Sequence, residues 1–171
     1  ESFIFPIVIL FVTLFWHLMI LAFEKKAGRA ETEKEQMEAK SNAKFLSVVG
    51  ISQAVMFGIM HYFIMYSSYR QASLGSTKAT VDIAKISCIL CGILFIVLGN
   101  FMTKVKKNVV AGLRTTWSMY NDNTWRKSNR IGAICLIIAG VLTIVTTVFA
   151  NGMVSTIFLL VYVLLAAVVA V

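Results

Sequence analysis

Hydrophobic residues in this chain gather into five long runs, roughly 3 to 23, 45 to 66, 83 to 103, 131 to 150 and 153 to 171. Runs of about 18 to 22 apolar residues match the length a helix needs to cross ~30 Å of hydrocarbon. A transmembrane barrel would show ~10-residue stretches of alternating polarity instead, and the sequence has none. The pattern predicts an all-α polytopic membrane protein with five transmembrane helices and an interfacial segment before the fourth.

The polar positions between the runs carry their own periodicity. Between 30 and 44, Glu31, Glu33, Lys34, Glu35, Glu38 and Lys40 suit a solvated helix that extends the second span. In it, repulsion between Glu31 and Glu35 is partly offset by attraction between Lys34 and Glu38 at i,i+4. Gly75-Ser76-Thr77 marks a short loop. The passage from 103 to 131 opens with a basic strip, Lys104, Lys106, Lys107 and Asn108, followed by a turn region over 112 to 117. Asn121, Asp122 or Asn123 then caps a helix beginning near Thr124, because a short side-chain oxygen accepts the orphaned amides of a first turn. Trp125 and Asn129 fall on one face of that helix, with Arg126 and Arg130 on the adjacent stripe. Asp122, alone among the basic residues, is expected to bridge to Arg114 or Arg126. Trp117 and Trp125 read either as anchors at the membrane interface or as the lining of a ligand groove.

Composition sharpens this picture. The 171 residues are 58% hydrophobic and only 14% charged, against roughly 25% charged in soluble domains. Mean hydropathy is +0.81. The net charge of +8 lies in short segments between apolar runs, so membrane lipids with anionic headgroups are the expected partner, and direct contact with nucleic acid is not. Basic residues crowd the connections at 24 to 44 and 104 to 130, whereas the second connection has only Arg70 and Lys78, and the fourth is a bare Asn151-Gly152 turn. The positive-inside rule places 24–44 and 104–130 in the cytoplasm and the N-terminus of this chain outside. The start at Glu1 and the stop inside an apolar run at Val171 lead us to expect further chain at both ends.

Candidate chemistry is sparse. Cys88, Cys91 and Cys135 lie inside apolar runs and read as packing residues; Cys88-x-x-Cys91 lacks the second ligand pair of a structural zinc site. His17 and His61 differ in depth by ~15 Å on this topology, which keeps them from sharing a metal or a proton. No span carries Asp or Glu near its middle, and the only proline is Pro6. Neither an enzyme nor a bound cofactor or metal is expected, and a small transporter or lipid-interacting protein is the alternative reading. Small residues at helical spacing, including Cys88, Gly92, Gly99, Gly132, Ala139, Gly140 and Thr143, suit close packing within the bundle or, alternatively, a homodimer.

Three strings between 98 and 130 are of uncommon type: Leu98-Gly99-Asn100-Phe101-Met102, then Gly112-Leu113-Arg114-Thr115-Thr116-Trp117, then Asn121-Asp122-x-x-Trp125-Arg126-Lys127-x-Asn129-Arg130. Together they resemble the signature of the SdpI family of membrane immunity proteins, approximately G-N-x-[ML], G-[IL]-R-T-P-W-[TS] and [ND]-[ED]-x-x-W-x-x-x-[NH]-R. The similarity covers roughly residues 90 to 150. It implies a multi-pass protein of the bacterial plasma membrane that protects against a secreted peptide toxin and signals by sequestering a transcriptional repressor at the membrane. The family-type, partner-binding positions it implies are Asn100, Gly112, Arg114, Thr115, Trp117, Asn121, Asp122, Trp125, Asn129 and Arg130. On this reading residues 1–82 form an N-terminal two-helix part, and 83–171 an SdpI-like part whose loop 104–130 meets the repressor. Two departures stand out. Thr116 replaces the usual Pro, leaving that backbone less constrained, and residues 1 to 70 lack the family's frequent extracytoplasmic segment rich in Pro, His and Trp.

Overall fold

A computed structural model of the chain describes residues 4–75, 81–105, 112–116 and 118–170. Five helices follow one another: α1 (Ile4–Gly28), α2 (Glu33–Leu74), α3 (Ile83–Met102), α4 (Asp122–Phe149) and α5 (Gly152–Ala170). Each contains a segment apolar and long enough to cross a bilayer, as the five hydrophobic runs predict. Along α1, α4 and α5 the exposed side chains are mostly Ile, Leu, Val and Phe, the surface that lipid, rather than water, satisfies.

Local signals set the helix ends. Thr32 caps α2 through its hydroxyl, which accepts from the Glu35 amide, and Glu33 and Glu35 occupy the first turn, where the helix dipole favours acids. At the other end Gly75 takes φ 57° and its amide closes on the Gln71 carbonyl, a left-handed cap that glycine adopts without cost. The remainder of the predicted loop, Ser76 and Thr77, lies outside the described residues. The solvated helix expected after residue 30 is continuous with the second span. At 42 residues and 1.5 Å per residue, α2 is ~63 Å long, about twice the hydrocarbon thickness, so its first turns form an arm beyond the membrane.

The contacts fix an alternating bundle. Phe5 stacks on His61, and the Trp16 indole donates to Gln53 Oε1 at 2.8 Å, so α1 runs antiparallel to α2. Gly50 sits where Trp16 crosses, and a Cβ there would come within 2.9 Å of the Trp16 Cβ. His61 therefore lies ~18 Å along α1 from His17, consistent with the expected difference in depth. The small residues of α3 and α4 face each other within one chain. A Cβ on Gly92 would lie 2.8 Å from the Gly140 carbonyl oxygen, and one on Gly99 would lie 2.8 Å from that of Ala133. Backbone approach of this kind gives dispersion contact to helices that gain nothing from hiding apolar surface in lipid. Hydroxyls within the spans are satisfied locally, as when Thr143, Thr147 and Ser155, all buried, donate to the carbonyl four residues back.

At the end of the bundle shared by α3 and α5, one carboxylate ties two helix starts together. Asp82 Oδ1 accepts from the Lys85 amide and Oδ2 from the Gly152 amide, each at 3.1 Å. Gly152 has no room for a side chain, since a Cβ would strike the Asp82 carboxylate. At the opposite end lie the α2 arm and the polar passage between α3 and α4, joined where the Ser41 hydroxyl donates to the Lys104 carbonyl at 3.3 Å.

Candidate functional site

The passage between α3 and α4 is built on two buried side chains of the first turns of α4. Asn121 caps that helix, its Oδ1 accepting from both the Thr124 amide and the Thr124 hydroxyl at 2.7 Å. The cap therefore falls within the expected 121–123 window, and the helix runs unbroken from the interfacial turns into the fourth span. This start rotates Trp125 and Asn129 inward, 3% and 2% exposed, and leaves Arg126 and Arg130 outward. Trp125 is thus a packed residue, not an anchor in the lipid interface. Its indole N–H donates to the Val105 carbonyl at 3.3 Å, and Phe45 of α2 and Met119 pack against the Trp125 and Val105 pair.

Asn129 ties the loop to the helix. Its Oδ1 accepts from the Leu113 amide at 2.7 Å, and its Nδ2 donates to the Trp125 carbonyl at 3.0 Å. A buried amide side chain used in both senses is costly to remove, because each lost partner leaves a desolvated group of roughly 1–3 kcal/mol. Gly112 makes the approach geometrically possible. It sits at φ 102°, where side chains are disfavoured, and a Cβ on it would collide with Asn129 Oδ1 and lie 2.8 Å from the Trp125 ring.

A second, tighter turn completes the loop. Ser118 is wholly buried. Its hydroxyl donates to the Leu113 carbonyl at 2.9 Å and accepts from the Thr115 amide at 2.8 Å, while the Thr115 hydroxyl accepts from the Ser118 amide at 3.1 Å. This reciprocal pair supplies internal partners to backbone groups that no helix satisfies. It also orders a turn at the place where Thr116 leaves the backbone free of proline.

Of the positions singled out from sequence, Gly112, Thr115, Asn121, Trp125 and Asn129 come together in this network. Asn100 stays apart on α3, its amide donating to the Ile96 carbonyl. Arg114 and Arg130 are exposed, and Trp117 lies outside the described residues, as do Lys106, Lys107 and Asn108 of the basic strip. Asp122 differs from expectation: its ion-pair partner is Lys34 of the α2 arm, at 3.5 Å, with both side chains largely exposed. The long Lys34 side chain reaches from the arm to the start of α4, so a cation distant in sequence takes the place expected of Arg114 or Arg126. Lys34 is correspondingly engaged away from Glu38, its expected helical partner. A cleft of about 390 Å³ opens at this junction, lined by Lys34, Glu38, Lys104, Asp122, Trp125 and Arg126 among others. Ser118 and Val105 were not singled out in the sequence. Ser118 had a signal, since it occupies the [TS] position after Trp117 in the family pattern; Val105 had none, because it contributes its backbone.

Five membrane-length helices, with an ordered polar loop on one surface, define a multi-pass helical membrane protein. The family model described as the SdpI/YfhL protein family matches residues 104–171, the stretch that holds the second and third of the three strings. The chain is also 30% identical over 106 residues to the Immunity protein SdpI of Bacillus subtilis (strain 168), a match covering 62% of this chain and 51% of that relative. The chain thus spans about half the length of the curated relative it matches. No solved structure matches it significantly.

Proposed function

We propose that this chain is the membrane part of an immunity protein that protects its cell against a secreted peptide toxin. The observation that carries the reading is the Gly112, Trp125 and Asn129 network. It gives a structural reason for the family pattern at those positions in a chain similar to a protein named for immunity. The loop is a scaffolded surface, presenting Arg114, Arg126 and Arg130, which suits recognition more than chemistry. Among the described residues no group of three or more His, Cys, Asp or Glu is placed to hold a metal ion.

In this proposal the protein sits in the bacterial plasma membrane with 24–44 and 104–130 cytoplasmic and the first residues of this chain outside. The excess of Lys and Arg in those two connections supports that orientation. The SdpI-like part, 83–171, carries the recognition loop, and the two-helix part, 1–82, braces it through the α2 arm. Toxin is met from outside, and the loop offers a basic surface on which a transcriptional repressor is held.

The test is protection of a sensitive strain. Cells expressing the chain should survive peptide that kills control cells, and Arg114→Ala and Trp125→Ala should each reduce survival. Killing undiminished by the wild-type chain, with the protein confirmed in the membrane, overturns the reading.

A further inference from the structure

A cleft of about 740 Å³ lies where α1 leaves its apolar segment and passes the α2 arm, outside the family-matched residues. Its two walls carry opposite charge. Lys25, Lys26 and Arg29 come from the last turns of α1, and Glu35 and Glu38 from the arm. None of these five side chains forms an ion pair or side-chain hydrogen bond with another described residue. The walls are close enough to line one cleft and too far apart to neutralise each other. Phe23 closes the cleft on the side of the membrane span.

We propose that this cleft binds the headgroup of a phospholipid bearing both a phosphate and a primary ammonium, the phosphatidylethanolamine class. Phosphate oxygens accept charge-assisted hydrogen bonds from Arg29 and the two lysines, and the ammonium donates to Glu35 and Glu38. One zwitterion satisfies both walls. A headgroup with phosphate alone leaves the carboxylates facing a like charge, and a trimethylated ammonium has no proton to donate. These mismatches set the preference as much as the favourable contacts do. The position selects a lipid over a soluble phosphate ester. The cations begin one residue, Glu24, beyond a run of apolar residues that fills the hydrocarbon, so they stand at headgroup depth while the acyl chains pass down beside Phe23.

Native mass spectrometry of the full chain, released from detergent with added lipid, tests this directly. Phosphatidylethanolamine should bind about tenfold more tightly than phosphatidylglycerol or phosphatidylcholine, the worth of one charge-assisted hydrogen bond. Glu35→Gln with Glu38→Gln should abolish the preference over phosphatidylglycerol while leaving the size-exclusion profile unchanged. Lys25→Gln, Lys26→Gln and Arg29→Gln together should weaken all three lipids. Equal or tighter binding of phosphatidylglycerol by the wild type overturns the proposal, as does a preference that survives the glutamate changes. Displacement of the lipid by soluble phosphoethanolamine at comparable concentration overturns the lipid assignment in favour of a soluble ligand.

Discussion

Two basic polar segments leave the bundle at the same end, one between α1 and α2 and one between α3 and α4, yet they are organised in opposite ways. The first is short. It turns at residues 29–32, is capped by an exposed threonine, and lines an open cleft with cations and carboxylates that form no ion pair among the described residues. The second folds back on itself and buries Ser118, Trp125 and Asn129. The difference lies in what each segment has to satisfy. A four-residue connection leaves few backbone groups away from water, whereas a long loop packed against a helix must supply partners for its own amides. Asn129 and Ser118 supply them. Two polar segments rich in Lys and Arg therefore yield solvated walls of opposite charge in one place and a polar core in the other.

Asn129→Ala is expected to have the largest effect. It strands the Leu113 amide, frees the Trp125 carbonyl and leaves a void beside the indole, a loss of about 2–4 kcal/mol. Thermal unfolding of the purified protein in detergent should show a clear fall in midpoint, and protection in cells should fall with it. A midpoint equal to wild type would mean that the loop does not depend on its buried amide.

Glycine to alanine at one position in each region gives the next largest contrast. Gly112→Ala places a methyl at positive φ against Trp125 and Asn129, a cost of about 1–3 kcal/mol. Gly28→Ala, on α1, meets nothing within 4 Å and should be neutral or stabilising by up to about 1 kcal/mol through helix propensity. The same unfolding measurement should give opposite signs. Equal destabilisation by both changes would erase the distinction between the two segments.

The parts legible in the sequence are those decided within one helix. Five apolar runs become five helices, charge periodicity foretells the arm of α2, and the cap candidates Asn121, Asp122 and Asn123 announce the start of α4 and with it the shared face of Trp125 and Asn129. Partners brought in by tertiary closure were not legible. Lys34 reaches Asp122 only because the fold brings the start of the arm within side-chain reach of the start of α4. Trp125 reads from sequence as an anchor at the membrane interface or as the lining of a ligand groove, and its packed position was not legible because amphipathic aromatics serve both at the surface and in the core. Val105 enters through its carbonyl, and Asp82 joins α3 to α5 because two helix starts meet. None of these contacts has a periodicity to betray it.

The smallest expected effect concerns the ion pair of Lys34 with Asp122, which links the two segments among the described residues. Both side chains are more than 70% exposed, 73% and 71%, so Coulomb attraction is screened, and the pair should contribute no more than about 0.5 kcal/mol. Phe45 against the Val105 and Trp125 pair and Ser41 against the Lys104 carbonyl hold the arm in place without it. Lys34→Gln, Asp122→Asn and the double change should therefore give a coupling energy near zero in a double-mutant cycle, falling further with added salt. A coupling above about 1.5 kcal/mol would be too large for a solvated pair. It would show that the arm's charges form part of the loop's core, and that the two segments are one cooperative unit despite their different organisation.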